Sequence, residues 1–388
     1  SVLSLLTHTQ FGRKKMEGIM GKHGLHLENR DFYKHILSYN YSSLLSTLVH
    51  SQKGEHSPTS KGTEIYLTSP WLTTVVPSVY ILVVVYGFPL NVMAVLVFVV
   101  KIKLKKPAVV YMLNLASADL LLVSVLPFKI FYHFTGNNWP FGPEMCHLIS
   151  GIFFCNTFCS MLLMTAMSVD RSLALLYPMQ SLSWRTLHRA SLVCAVIWLV
   201  AIVAVIYPMT NELTYNIPQL NITTCVDEPD VSVIITFSRY YIFVLSILFF
   251  YIPLLISSVC YASIIKKLSS SDVATKPGKK RRAILLSVAV LSSFILCFGP
   301  IHTLTFLQIV LPDTYYESLS LAFNLAFTFS TINCCLDPLI YYYASSECQR
   351  QVWTLLCPGK RSDVEKDIQE TINNTTTYFS GLGHLTQA

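Results

Sequence analysis

Seven blocks of apolar residues constrain the fold of this chain more than any other feature. A helix needs roughly 20 predominantly apolar residues to cross the hydrocarbon core of a bilayer, and the blocks are about that long or longer. They run over Leu72–Val100, Val109–Tyr132, Cys146–Leu176, Ala190–Pro208, Tyr240–Ile265, Ile284–Val310 and Leu319–Tyr343. Membrane-spanning strands would instead alternate apolar and polar residues. The sequence therefore predicts an all-α membrane protein, a seven-transmembrane helix bundle in a lipid bilayer.

The composition excludes an arrangement of several soluble domains. Hydrophobic residues make up 53% of the chain and charged residues only 13%, whereas a soluble domain has about a quarter charged residues. Prolines inside the blocks include Pro127, Pro253, Pro300 and Pro338. Neighbouring helices can satisfy the carbonyls that these prolines leave free, so we expect kinks there rather than helix ends.

The charges between the blocks predict the orientation of the bundle. Lysines and arginines are concentrated at 101–106, 185–189 and 266–282, while the alternate connections carry mostly acidic residues. By the positive-inside rule the basic connections are cytoplasmic, which places the N-terminus outside and the C-terminus inside. The net charge of +7 then belongs mainly to the inner membrane surface, and no nucleic-acid partner is predicted.

Two of the eleven cysteines fall on the predicted outer side. Cys146 begins the third block and Cys225 lies in the connection before the fifth. Two cysteines in an oxidising compartment indicate a disulfide, and the alternative is a pair of free thiols.

The remaining segments predict four regions. An outer tail covers 1–70, the helical domain 71–343, a short amphipathic eighth helix 344–357 and an inner tail 358–388. Sequons at Asn40 and Asn221 predict glycosylation on the outer side. Cys357, beside the amphipathic helix, is a predicted palmitoylation site.

Acidic residues inside the apolar blocks are the first candidate site. Asp119 and Asp337 would repel each other if both were buried and ionised, so either one keeps its proton or a cation lies between them. We expect Na⁺ to bind there, with further oxygens from Asn156, Ser160 and Asn333, and we predict no other metal or cofactor. Some of the buried amides could instead only bridge neighbouring helices.

Asp170 and Arg171, at the inner end of the third block, are the second candidate site. Arg171 could be a side chain that merely reaches toward the membrane surface. The alternative is a switch, in which Arg171 is either held by Asp170 or released toward a cytoplasmic partner.

Short motifs follow one another in order along the seven blocks. They are "PLN" ending at Asn91, "LASADL" with Asp119, "SVDRS" with Arg171, Trp198, Pro253 with Tyr261, "CFGP" ending at Pro300 and "DPLIY" ending at Tyr341. This set resembles the motifs of the class A (rhodopsin-like) G-protein-coupled receptors, and the resemblance covers about residues 66–357. It implies that heterotrimeric G proteins and arrestin are partners, and that the protein is a receptor in the plasma membrane rather than an enzyme.

Longer stretches are similar to the protease-activated receptors of the thrombin-receptor type. These stretches include "KKPAVVYMLNLASADLLLVSVLPFKI", "YPMQSLSWRTLHRAS", "LNITTC" and "DPLIYYYASSECQR". The resemblance implies that an extracellular serine protease cuts the outer tail, and that the new N-terminus binds as a tethered agonist and evokes calcium release. An attached ligand need not bind tightly by itself, because its effective concentration is high.

The outer tail departs from that family. It lacks an acidic cluster and a Pro-Arg cleavage sequence, and "TTCVDEP" differs from the family around Val226 and Glu228. The best candidate cleavage site is between Arg30 and Asp31, which would place Phe32 second in the new chain. Cleavage after Arg13, Lys15 or Lys22, or a tail whose basic residues are only solvated, stays open.

The resemblance also implies roles for residues of the bundle. The pocket would be lined by Phe154, Asp227, Gln308, Ile309 and Phe323. The agonist would shift the packing around Phe298 above the kink at Pro300, and open a cavity beside Arg171, Tyr261 and Tyr341. Pro338 would let the seventh helix bend next to Asp337.

Other functions are less consistent with the sequence. Metal ligands at the usual spacing, a phosphate-binding loop and a nucleophile with a nearby base are absent, which disfavours an enzyme. Seven dissimilar blocks disfavour a transporter built from internal repeats. The open alternative is a class A receptor for a diffusible peptide, nucleotide or lipid.

Overall fold

The computed structural model describes residues 65–102, 106–210, 212–226, 240–270, 277–311, 316–344 and 348–352. Seven helical segments in this part of the chain are long and apolar enough to cross a membrane. We call them the first to seventh spans: Ile65–Ile102, Pro107–Phe134, Gly142–Leu176, Leu187–Met209, Tyr240–Ser269, Ile284–Val310 and Leu319–Tyr342. The predicted seven-helix bundle is confirmed, although the first span begins at Ile65 rather than at Leu72.

Most of the spans are single α-helices, and two contain π-helical turns. The α-helices are Val76–Leu96, Pro107–Phe134, Gly142–Leu176, Leu187–Met209, Ile252–Ser270, Pro277–Val310, Tyr316–Ser330 and Asn333–Ala344, with a short helix, Pro178–Trp184, after the third span. The helices Tyr316–Ser330 and Asn333–Ala344 both belong to the seventh span, which is interrupted by a turn at Thr331 and Ile332. Residues 348–352, within the predicted eighth helix, are also helical.

Two of the three π-helical turns in the first and fifth spans, those at Trp71–Val75 and Ile247–Tyr251, have a local cause. The first span has such turns at Trp71–Val75 and Val97–Ile102, and the fifth at Ile247–Tyr251. The N–H of Val76 donates to the carbonyl of Trp71, and that of Ile252 to the carbonyl of Ile247. A proline follows each donor directly, and its missing N–H interrupts the regular α-helical pattern there.

The spans differ in how much of their surface lies inside the bundle. In the most apolar stretch of the second and third spans 67% of the residues are buried, against 33% in the first, fourth and fifth. The second and third spans therefore form the centre. Large apolar side chains of the outer spans, such as Leu82, Leu199 and Leu255, are exposed, as lipid-facing residues should be.

One end of the bundle carries a β-hairpin that the sequence analysis did not predict. Strand β1 (Thr214–Ile217) pairs antiparallel with β2 (Ile222–Cys225), and Thr214 lies opposite Cys225. The turn contains Asn221 at φ 51°, a left-handed conformation that asparagine tolerates better than most residues. We call this the hairpin end, and the end that carries Arg171 the opposite end.

A disulfide fixes the hairpin to the bundle. It joins Cys225 at the end of β2 to Cys146 in the first turn of the third span, with 5.9 Å between the Cα atoms. The backbone N–H of Trp139 also donates to the carbonyl of Thr223 at 2.7 Å. The pair that the sequence analysis proposed is therefore bonded in the structure.

Candidate functional site

The structure brings the two predicted acidic residues together in the middle of the bundle. Asp119 of the second span is 0% exposed and Asp337 of the seventh span 1%, and Asp119 contacts Cys334, which lies one helical turn before Asp337. Asp119 Oδ1 accepts hydrogen bonds from Asn156 Nδ2 and Cys334 Sγ, both at 3.3 Å. Asn333 Nδ2 donates to Asp337 Oδ2 at 2.7 Å.

The proline beside Asp337 explains how this site is held in place. Pro338 has no N–H, so the carbonyl of Cys334, four residues earlier, loses its helical donor. Asn91 Nδ2 of the first span donates to that carbonyl at 2.7 Å and to the carbonyl of Gly87 at 3.0 Å. The helix break therefore creates the contact that ties the first span to the seventh.

Three buried oxygens, two from the acid pair and one from a serine, fit a cation. Asp119 Oδ2, Asp337 Oδ1 and Ser160 Oγ have no hydrogen-bond partner within the described residues. Carboxylate and hydroxyl oxygens are ligands that hard cations prefer. The expectation that Asn156 and Asn333 also supply oxygens is wrong for this structure, because both turn their NH₂ groups toward the carboxylates.

Asp170 forms an ion pair with Arg185, which the sequence analysis had noted only as part of the basic connection 185–189. Arg185 Nε donates to Asp170 Oδ1 and Arg185 Nη2 to Oδ2, both at 2.7 Å. The prediction that Asp170 binds Arg171 is therefore wrong for this structure, because Asp170 binds Arg185 instead. The short helix Pro178–Trp184 ends next to Arg185 and turns its guanidinium back to Asp170, where two parallel bonds match the carboxylate. These hydrogen bonds raise the pKa of Arg185 above its ordinary value.

Arg171 lies close to the other predicted switch residues. It interacts with the phenol groups of Tyr261 and Tyr341, while its Nη2 atom is buried and unpartnered among the described residues. The hydroxyl groups of Tyr261 and Ser168 are hydrogen-bonded to each other at 2.8 Å. The hydroxyl of Tyr341 is buried and has no partner in the described part of the chain. The third, fifth and seventh spans thus meet at these side chains.

A column of rings joins the fifth and sixth spans around Pro300. Phe298 packs edge-on against Phe294, with 5.8 Å between the ring centroids, and Phe294 stacks on Phe250 at 5.6 Å. On the other side Phe250 stacks on His302 at 4.5 Å. The predicted pivot residue Phe298 is therefore part of a continuous aromatic contact between two helices.

The hydrogen bonds of His302 determine its tautomer. The hydroxyl of Ser246 donates to the carbonyl of Ile242 at 2.9 Å, so it accepts the bond from His302 Nδ1, also at 2.9 Å. His302 then carries its proton on Nδ1. Its Nε2 atom is buried without a partner in the described residues, a feature that the sequence analysis missed.

The predicted pocket residues are only partly brought together. Phe154 and Phe323 both contact the ring of Phe327, with centroid distances of 5.5 and 6.2 Å. Gln308 and Ile309 are half-buried on the sixth span. Sequence reasoning missed Phe327, although it lies four residues after Phe323, a spacing at which helical side chains meet.

Several predicted residues cannot be placed in this structure. Arg30, Asp31, Asn40, Asp227 and Cys357 lie outside the described residues. Asn221 is exposed in the hairpin turn.

Comparison with known proteins agrees with this arrangement. Residues 90–341 match the family model of the 7 transmembrane receptor (rhodopsin family), which defines the class of protein. Proteinase-activated receptor 1 of Homo sapiens is 53% identical over 300 residues, which are 77% of this chain and 70% of the relative. The Xenopus laevis receptor of the same name is 50% identical over 304 residues, 78% of this chain and 72% of the relative. A purinoceptor of Gallus gallus is 35% identical over 279 residues, 71% of this chain and 78% of the relative.

The chain therefore belongs to the rhodopsin family of seven-transmembrane receptors and, within it, to the proteinase-activated receptors. It is a multi-pass membrane receptor that couples to G proteins, and it is not an enzyme.

Proposed function

We propose that this receptor is activated when an extracellular serine protease cuts its N-terminal tail, and that the new N-terminus then acts as a tethered agonist. The observation that carries the proposal is the 53% identity to Proteinase-activated receptor 1, which extends over 300 residues. Signalling then proceeds through heterotrimeric G proteins to calcium release.

The base of the tail has the fixed attachment that a tethered ligand requires. Asn137 Nδ2 donates to the carbonyl of Leu67 at 2.7 Å, and Asn324 Nδ2 donates to the hydroxyl of Tyr66. Tyr66 and Leu67 are both buried. A tether from a fixed point keeps the effective concentration of the ligand high, so the free ligand can bind weakly and still activate when attached.

The orientation follows from charge. We place the hairpin end outside the cell and the opposite end, with its neighbouring Lys101, Lys106, Arg189 and Lys267, in the cytoplasm. The disulfide of the hairpin then lies on the oxidising side, where it persists. On the same reasoning Asn40 and Asn221 carry glycans outside, and Cys357 carries a palmitoyl chain inside.

The agonist acts by shifting a population of states. It binds at the hairpin end beside Phe154, Asp227, Gln308, Ile309 and Phe323. The aromatic contacts at Phe298 then rearrange, and the sixth span bends outward at Pro300.

This movement opens the cavity beside Arg171, Tyr261 and Tyr341. The unpartnered atoms of Arg171 and Tyr341 find partners in the open state, where the G protein binds. Arrestin binds the same cavity. The coupling is reciprocal, so a bound G protein tightens agonist binding.

Asp119, Asp337 and Ser160, whose unpartnered oxygens are Oδ2, Oδ1 and Oγ, would hold a Na⁺ ion in the quiet state. Such an ion would supply the positive charge that lets both carboxylates stay ionised in a buried place. Asn156, Asn333 and Cys334 orient the carboxylates by donating to their other oxygens.

Protease treatment of cells that express the receptor tests the proposal. Thrombin and trypsin are added separately, and calcium release is recorded for the native chain, Arg30→Ala and the matched control Arg13→Ala. We expect Arg30→Ala to abolish the response and Arg13→Ala to keep it. The hexapeptide Asp31–Ile36 should activate both variants, because it does not need the cut.

Two results would contradict this proposal. If neither protease evokes calcium release while the receptor is at the cell surface, activation by cleavage is wrong, and a diffusible ligand becomes the better explanation. If Arg13→Ala is silent and Arg30→Ala responds, the assigned cleavage site is wrong.

A further inference from the structure

A hydrogen bond between the sixth and seventh spans lies directly beside the acid pair. Ser293 Oγ of the sixth span donates to Asn333 Oδ1 of the seventh span at 3.2 Å. Asn333 Nδ2 donates in turn to Asp337 Oδ2 at 2.7 Å. Ser293 is 7% exposed and Asn333 2%. One amide group therefore connects the sixth helix to the carboxyl of Asp337.

The direction of the Ser293 hydroxyl is unusual for this bundle. Serine and threonine inside a helix commonly donate to the carbonyl four residues earlier, as Ser168, Ser246 and Thr305 do here. Among the described contacts Ser293 makes no such bond and donates across to another helix instead. Its other neighbour, Cys297 Sγ, lies 3.9 Å away and is a weak partner.

The bond also fixes which way the amide of Asn333 faces. An amide has one oxygen and one NH₂ group. With the oxygen held by Ser293, the NH₂ group must face Asp337, where it stabilises the ionised carboxylate. Without Ser293 the amide is free to turn its oxygen toward Asp337, which disfavours that charge.

We propose that Ser293 is a positioning residue that couples the sixth helix to the acid pair through Asn333 and so holds the receptor in its quiet state. The proposal rests on the proposed function, in which the sixth span moves outward. Such a movement separates Ser293 from Asn333 and leaves Asn333 Oδ1 buried without a donor, which opposes the movement. By reciprocity, whatever stabilises the ionised acid pair also holds the sixth span in.

Purified receptor in lipid nanodiscs with its G protein tests this link. Agonist-free nucleotide exchange is measured for the native chain, Ser293→Ala, Ser293→Thr, Asn333→Ala and the double variant. Ser292→Ala is the matched control, because Ser292 is the adjacent serine and is exposed on the outside of the helix. The melting temperature of each receptor is recorded in sodium chloride and in choline chloride at equal ionic strength.

We expect Ser293→Ala to raise agonist-free exchange about two- to tenfold, the population shift that corresponds to one lost hydrogen bond. Ser293→Thr, which keeps the hydroxyl, should restore the native level, and Ser292→Ala should not change it. The double variant should match Asn333→Ala, because both changes break the same link. The rise in melting temperature on adding sodium should be smaller in Ser293→Ala than in the native receptor.

Unchanged exchange in a Ser293→Ala receptor of native melting temperature would overturn the proposal. Fully additive effects of Ser293→Ala and Asn333→Ala, or an equal effect of Ser292→Ala, would do the same. If Ser293→Ala does not fold, Ser293→Cys replaces it, since the thiol has nearly the same size and is a weaker donor. If sodium does not stabilise the native receptor, the assigned ion is wrong. If protease treatment evokes no calcium release, the proposed mode of activation is wrong. The exchange measurement decides the Ser293 link in either case.

Discussion

The hairpin end and the middle of the bundle satisfy their buried polar groups very differently. At the hairpin end Asn137 is 0% exposed, and both ends of its amide are bonded, to the Leu67 carbonyl and to His133 Nδ1, each at 2.7 Å. In the middle, buried atoms of Asp119, Ser160 and Asp337 have no partner within the described residues.

This difference indicates that the hairpin end is rigid and that the middle of the bundle can adopt two states. A buried polar atom without a partner costs free energy and needs an explanation. At the hairpin end both ends of the Asn137 amide find partners within the fold, and the disulfide adds a covalent bond. In the middle, and at Arg171 and Tyr341 near the opposite end, the described part of the chain leaves buried polar atoms without partners in this one conformation. A cation, water or a second conformation would supply them, which is what a switch requires.

Breaking the rigid end should have the largest effect. We expect Cys146→Ala to lower agonist-peptide affinity by roughly 30-fold or more, the cost of ordering a few freed side chains on binding, because β2 loses its bond to the third span. Binding of the labelled hexapeptide Asp31–Ile36 to membranes measures this. Cys155→Ala is the control, since Cys155 is a free cysteine of the same span. Equal losses in both variants would contradict the rigid role of the disulfide.

Removing one acid of the pair should have the next largest effect. Asp119→Asn keeps the shape of the side chain but removes a charge from the proposed cation site. We expect it to abolish the sodium-induced rise in melting temperature and to raise agonist-free nucleotide exchange about tenfold, the scale of one lost buried charge interaction, because the quiet state loses its ion. Glu144→Gln, at the start of the third span, is the control. A sodium effect that survives in Asp119→Asn would show that the ion binds elsewhere.

Breaking the ion pair at the opposite end should have an intermediate effect. Arg185→Gln leaves Asp170, which is 6% exposed, without its cation, and we expect agonist-free exchange to change about three- to tenfold. Arg185→Lys should not restore it, because lysine cannot form the two parallel bonds.

The matched control for this pair is Arg189→Gln, whose native guanidinium bonds, among the described residues, to backbone carbonyls of Ser183 and Trp184. Because the pKa of Arg185 is raised in the folded protein, its contribution is fully present below the unfolded-state pKa and is lost only as pH rises through the folded-state pKa. The effect should therefore be the same from about pH 6 to about pH 8, far below the pKa of any arginine. A difference across that range would contradict the assigned pair.

The smallest expected effect concerns the ring column between the fifth and sixth spans. His302→Ala removes the bond to Ser246 and the stack on Phe250, and should lower stability by about 1–2 kcal/mol. His302→Asn keeps a donor where Nδ1 stands and should lower it less. Thermal unfolding in detergent measures both, with Thr303→Ala as the control because Thr303 is the exposed neighbour. Equal losses in the two His302 variants would show that the bond to Ser246 does not contribute to stability.

Length and charge in the sequence were enough to predict the bundle and part of the site. The seven spans follow from the thickness of a bilayer, which sets the same minimum length for every helix. The proximity of Asp119 and Asp337 followed from the cost of burying two carboxylates in an apolar environment. The hairpin was missed, although Pro218 and Asn221 between two short strands are the residues that a turn requires.

The choice of partners was decided only by the tertiary structure. The sequence offered several cations near Asp170, and the short helix after the third span decided that Arg185 reaches it. Serines occur in nearly every span, and only the rotation of the sixth helix placed Ser293 against Asn333. Apolar length and buried charge are properties of one segment and can be read locally. A hydrogen-bond partner depends on the rotation and depth of two helices at once, and packing of the whole bundle sets both.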